Sequence, residues 1–88
     1  MKWRPEAEII RGDETWVCMK GKKKKIEAED KAILDLMESG ITDDDELVGK
    51  LAAKLGVDET DSSFRLAQFV VDYGEYLAEG TKSAVFGG

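Results

Sequence analysis

The sequence predicts a small α+β domain, a three-stranded antiparallel sheet followed by three helices, and three observations carry that expectation. Apolar residues in the first 28 positions recur with a period near two; from Glu29 onward they recur every three to four; glycines or acidic residues stand at each change. At 88 residues with 42% hydrophobic content, the chain fits one domain with a thin core. A single domain over 1–88 is expected, with strands within about 6–28, helices at about 29–39, 43–55 and 60–79, and a flexible tail at 80–88.

Ala7 to Arg11 supplies the first strand, Gly12-Asp13 a turn, and Thr15 to Met19 the second. Alternation sends Trp16 and Cys18 to one face and Val17 and Met19 to the other, so either face could be core. Gly21 allows a second tight turn. Lys22 to Ala28 is then the third strand, in which Ile26 and Ala28 are the residues suited to burial. Ala32, Ile33, Leu36 and Met37 mark the stripe of a first helix ended by Gly40. Asp43-x-x-Glu46 has the form of a capping box, opening a second helix whose stripe is Leu47, Val48, Leu51, Ala52 and Leu55, ended by Gly56. Asp58 and Asp61 are alternative caps for the third helix, which is expected to reach about Glu79 before Gly80. Leu66, Val70, Tyr73 and Leu77 centre its apolar face. One flank is aromatic, Phe69 and Tyr76; the other carries Phe64, Ala67, Val71, Gly74 and Ala78.

Composition narrows the chemistry. With no histidine and one cysteine, neither imidazole acid/base catalysis, nor a usual zinc site, nor an internal disulfide is available, and Cys18 is expected to serve as a small buried hydrophobe. No catalytic residue, metal or cofactor is expected. No apolar run is long enough to span a bilayer and the N-terminus lacks a signal-peptide core, so a cytoplasmic location is expected. Charge is uneven: residues 1–25 hold eight basic and four acidic side chains, net +4, whereas residues 26–61 hold three and twelve, net -9, in a chain of net -6. Such a field repels nucleic acid over most of the surface and leaves one edge attractive to an acidic partner.

That edge is the run Lys22-Lys23-Lys24-Lys25. Lysines on a strand both solvate an open edge against pairing with copies of itself and offer cations to an acidic guest. The candidate peptide-binding surface is Lys22, Lys23, Lys24, Lys25, Ile26, Glu27 and Ala28, facing an apolar wall on the last helix made by Phe69, Tyr73 and Tyr76. Phe64, Arg65 and Asp72 are secondary candidates. The opposite flank, with Ala67, Gly74 and Ala78, is the wall if the helix is rotated.

The strand triplet, the stretch IEAEDKAILDLMESGITDDDELVGKLAAKLGVD and the closing FRLAQFVVDYGEYLAEG together resemble the PqqD-like peptide chaperones, or RiPP recognition elements, over about residues 4 to 80. The likeness is one of pattern, without a signature motif, and the four-lysine strand departs from it. It implies a winged helix-turn-helix-like fold. It further implies a non-catalytic role in which the leader of a ribosomally made precursor peptide adds as an antiparallel strand between the third strand and the third helix. The partner would be a modifying enzyme, whether a radical enzyme using S-adenosylmethionine, a leader peptidase or a cyclase. The leader is expected to be acidic, and the domain to be a monomer or an edge-mediated dimer, with no nucleic-acid or membrane partner.

Two alternatives differ in class. LVGKLAAKLGVDETDSSFRLAQFV has the layout of a DNA-binding helix-turn-helix, but its second helix opens with Asp58, Glu59 and Asp61 and offers phosphates only Arg65 and Gln68. The terminal Gly87-Gly88 looks like the tail of a sulfur carrier, whose β-grasp fold needs strands after the helix.

Overall fold

In the computed structural model, which describes residues 1–78, three strands precede three helices, as the change of period predicts. Strands β1 (Glu8–Arg11), β2 (Thr15–Met19) and β3 (Lys22–Ile26) form an antiparallel sheet in the order β1-β2-β3. Helices α1 (Lys31–Glu38), α2 (Asp44–Leu55) and α3 (Glu59–Tyr73) follow, an order compatible with a winged-helix likeness. No helix among the described residues is long and apolar enough to cross a membrane.

The sheet resolves the ambiguity of β2. Thr15, Val17 and Met19 are buried, and Trp16 and Cys18 turn to the outer face, where both are half-buried. Cys18 is therefore not a core residue. Lys20 (φ 50°) and Gly21 (φ 79°) form the two-residue link of the β2–β3 hairpin. Positive φ at both positions suits the right-handed twist of the strands, and glycine takes the second without steric cost. The register pairs Met19 with Lys22, Val17 with Lys24 and Thr15 with Ile26. Strand β3 stops there: Ala28–Asp30 is a 3₁₀ turn and Ala28 is exposed, so Glu27 and Ala28 lie beyond the strand predicted to include them. That turn also delays the first helix from Glu29 to Lys31.

Both acidic caps form. Asp43 accepts from the Glu46 N–H at 3.0 Å, and Asp58, rather than Asp61, accepts from the Asp61 N–H at 2.8 Å. Gly56, at φ 69°, closes α2 in the left-handed conformation. Leu34 is buried on α1 and Leu36 only half-buried, a rotation of the predicted stripe. Ser62, fully buried on α3, donates to the Val48 carbonyl at 2.7 Å and fixes α3 against α2. Arg11 on β1 donates to Asp35 at 2.9 Å and Glu38 at 2.5 Å, tying the sheet to α1.

The third helix is shorter than its sequence pattern. Tyr73 ends it, Gly74–Tyr76 forms a 3₁₀ turn, and Leu77 pairs in an antiparallel bridge with Trp3. Arg4 N–H donates to the Tyr76 carbonyl at 2.9 Å and Ala78 N–H to the Lys2 carbonyl at 3.0 Å. Helical continuation lost to this pairing because the extended N-terminal segment supplies partners for the freed backbone groups and inserts Met1 into the core. The predicted stop at Gly80 and the tail lie outside the described residues.

Candidate functional site

Among the described residues strand β3 is an edge of the sheet, so one side of its backbone has no described strand beside it. In an antiparallel hairpin closed by two residues, the pair flanking the turn is hydrogen-bonded and the pairs then alternate. The groups of Lys22, Lys24 and Ile26 accordingly face β2, and those of Lys23 and Lys25 face outward.

Only part of that outward row is open. The Tyr73 hydroxyl lies 2.8 Å from Asp30 Oδ2 and 3.3 Å from the Lys25 carbonyl, and receives the Glu27 N–H at 3.3 Å. One phenolic proton serves one strong acceptor. The nearer, charged Asp30 takes it, and the Lys25 carbonyl is left with the weak arm. The hydroxyl nevertheless stands where a guest amide would lie, leaving the N–H and C=O of Lys23 and the N–H of Lys25 for an added strand. Burial pushes the Asp30 carboxyl above its usual range, with Glu29, Asp72 and Glu27 adding repulsion against the Tyr73 hydrogen bond. Burial and the bond to Asp30 likewise raise the Tyr73 phenol, which stays protonated at any physiological pH.

The pleat divides the four lysines between two faces. On the outer face, Lys23 Nζ lies 4.7 Å from the Trp16 ring centroid and Lys25 Nζ 2.8 Å from Glu14. The Lys25 hydrogen bond holds the Glu14 carboxyl below its usual range, and Glu14 raises Lys25 in return. On the helix side, Lys22 Nζ reaches Glu75 at 3.3 Å and Lys24 Nζ lies 5.5 Å from the Tyr73 ring centroid. Among the described residues, Lys23 and Lys24 form no ion pair, so theirs are the charges an acidic guest would neutralise.

The aromatic wall is a correction. Phe69, Tyr73 and Tyr76 are buried, and Trp3 meets Phe69 edge-on at 5.7 Å and Tyr73 at 6.2 Å. They form the core. The N-terminal tryptophan claims the flank assigned to a peptide, and among β3 and these three residues it is the Tyr73 hydroxyl that meets the strand edge. Phe64 is 72% exposed, but it faces a cleft beside α2 together with Asp44, Asp45 and Val48. Arg65 pairs with Asp61 at 3.5 Å, and Asp72 accepts from Gln68 at 2.9 Å while acting on Asp30 and Tyr73. Of the predicted residues, Lys22 to Ile26, Glu27, Asp72 and Tyr73 gather at the β3 edge; Phe64 does not. Asp30, Glu75 and Trp16 belong to that surface and were missed. Trp16 was legible as one face of an alternating strand, whereas nothing local in the sequence marks Asp30 as the partner of a tyrosine 43 positions away. No protein-family model, curated protein or solved structure matches the chain.

Proposed function

We propose that this domain binds the leader segment of a ribosomally made precursor peptide by strand addition on β3, as PqqD-like chaperones do, and presents the peptide to a separate modifying enzyme. The domain acts without chemistry of its own. The observation that carries this reading is, among the described residues, the outward-facing backbone of Lys23 on an edge with no strand beside it, next to two ammonium groups that form no ion pair. Main-chain pairing gives sequence-tolerant affinity, and flanking charge selects an acidic guest. The guest contacts the edge, Asp72 on α3 and Glu75 in the 3₁₀ turn after it, with Trp16 and the Lys23 stem on the outer face; a wall of buried aromatics takes no part.

The test titrates an acidic leader-like peptide into the isotopically labelled protein. Amide shifts are expected from Lys22 to Glu27 and around Asp72, and shifts confined to Phe64, Ala67 and Val71 would refute the edge. The double variant Lys23→Glu, Lys24→Glu should weaken an acidic peptide by roughly three- to tenfold, the range two exposed ion pairs provide, and a neutral peptide less. Equal losses for both peptides would mean that charge is not read there.

A further inference from the structure

We propose that the guest of the β3 edge carries two consecutive acidic residues, one read by Lys23 on the outer face of the sheet and the other by Lys24 on the helix side. This selection rests on the strand addition proposed above and names the chemistry the same edge would choose. It follows from the pleat. Lys23 turns its N–H and C=O outward, so an antiparallel guest sets one residue directly opposite it as a hydrogen-bonded pair. Side chains directly opposite share a face at ~5 Å, and the faces alternate along a strand. That guest residue therefore stands beside Lys23 on the outer face, the residue before it beside Lys24 on the helix side, and the residue after it beside Lys22. Two residues before it, the guest meets Lys25. Beyond Lys25 the Tyr73 hydroxyl already receives the Glu27 N–H at 3.3 Å, so pairing ends there.

The four ammonium groups differ in what they already hold. Lys22 is paired with Glu75 at 3.3 Å and Lys25 with Glu14 at 2.8 Å, and Glu27 adds negative charge near Lys25. Lys23 and Lys24 meet ring faces instead, 4.7 Å from the Trp16 centroid and 5.5 Å from that of Tyr73. Among the described residues neither has a carboxylate partner, so a guest acid engages them without displacing one. The carboxylates that act on Tyr73 are themselves engaged, Asp30 by its hydroxyl at 2.8 Å and Asp72 by Gln68 at 2.9 Å. Two guest acids separated by one residue fall on the same face and meet one unpaired ammonium and one neutralised. Two adjacent acids fall on opposite faces and meet both unpaired ones. The edge thus distinguishes the spacing of acids at equal net charge.

The experiment titrates short blocked peptides of neutral, strand-forming sequence into the full, isotopically labelled chain. One carries two adjacent central glutamates, a second has the same composition with the glutamates one residue apart, and a third has glutamines in their place. The adjacent peptide is expected to bind roughly two- to fivefold tighter than the spaced one, the worth of one exposed ion pair, with the amides of Lys22 to Lys25 shifting in both titrations. Lys23→Gln and Lys24→Gln should each abolish that preference. Equal affinities in the parent, with the edge amides shifting, would overturn the acidic pair and leave strand addition standing, and so would a preference that survives either variant. Edge amides unmoved by all three peptides would overturn both.

Discussion

Removing one oxygen from the core tests whether the Tyr73 hydroxyl holds the end of β3. Tyr73→Phe keeps the ring, and with it the packing against Phe69 at 4.6 Å and Trp3 at 6.2 Å, so no cavity opens. What is lost is one charge-assisted bond to Asp30 at 2.8 Å and two weak arms at 3.3 Å. A hydrogen bond to a charged group contributes ~1.5–3 kcal/mol, and arms near the distance limit add little. Asp30 is half-buried and Glu27 exposed, so water replaces part of the loss. The expected destabilisation is therefore about 1–2 kcal/mol, below the ~3–5 kcal/mol of emptying an aromatic site with Tyr73→Ala. Urea denaturation at neutral pH measures both, with an unchanged m-value certifying that the folded states remain comparable. Amide exchange at Glu27 should rise in Tyr73→Phe and remain unchanged at Lys24, which faces β2. A phenylalanine variant as stable as the parent, or one as damaged as the alanine variant, would refute the role assigned to the hydroxyl.

The remaining expectations concern charge and packing. Because the native Asp30 carboxyl titrates above its usual value, it retains a proton that the unfolded chain has already released. Its contribution to stability is fully present below about pH 3.8 and disappears as pH rises through the native pKa. Asp30→Asn, which still accepts from Tyr73, should therefore gain on the parent as pH rises through that window; a pH-independent difference by denaturation would contradict this. Phe69→Ala should cost ~3–5 kcal/mol and Phe64→Ala under about 1 kcal/mol, since one side chain is fully buried and the other largely open; comparable losses would mean that the two faces of α3 are misassigned. Raising the salt concentration should weaken an acidic guest while easing any pairing of two β3 edges, a divergence that sedimentation and titration on the same samples can measure.

The order of elements was legible because it depends on period and punctuation. Asp43 and Asp58 cap as their sequence context predicts, and Gly56 ends α2 with the positive φ that glycine permits. The wall of the candidate site was not legible, because a helical wheel shows how wide an apolar arc is but not what covers it. Phe69 and Tyr76 read equally well as core or as binding surface; Trp3 and Met1, separated from them by more than 60 positions and flanked by charge, decide the matter. The same segment ends α3 early. Glu75 to Glu79 are good helix formers by pattern, and an extended partner at Lys2 to Arg4 outweighs a local preference of a few tenths of a kcal/mol per residue. The lysine run was readable as an edge because its composition suits a strand only where water reaches it.

That composition also separates guest from self. Two β3 strands paired antiparallel about Lys23, whose outward N–H and C=O are open, would set Lys23 opposite Lys23 and Lys22 opposite Lys24 of the other copy, at the ~5 Å spacing of cross-strand side chains. At that distance each pair of ammonium groups repels by about 1 kcal/mol even in bulk water, so the facing pairs together oppose association by about 3 kcal/mol at low salt. Among the described residues, Glu14 and Glu75 offset Lys25 and Lys22, which leaves Lys23, at the centre of such a pairing, and Lys24 uncompensated. An acidic segment on the same backbone groups meets the opposite sign of the same field. On the proposed reading, keeping copies apart and attracting an acidic guest would come from one arrangement of Lys23 and Lys24.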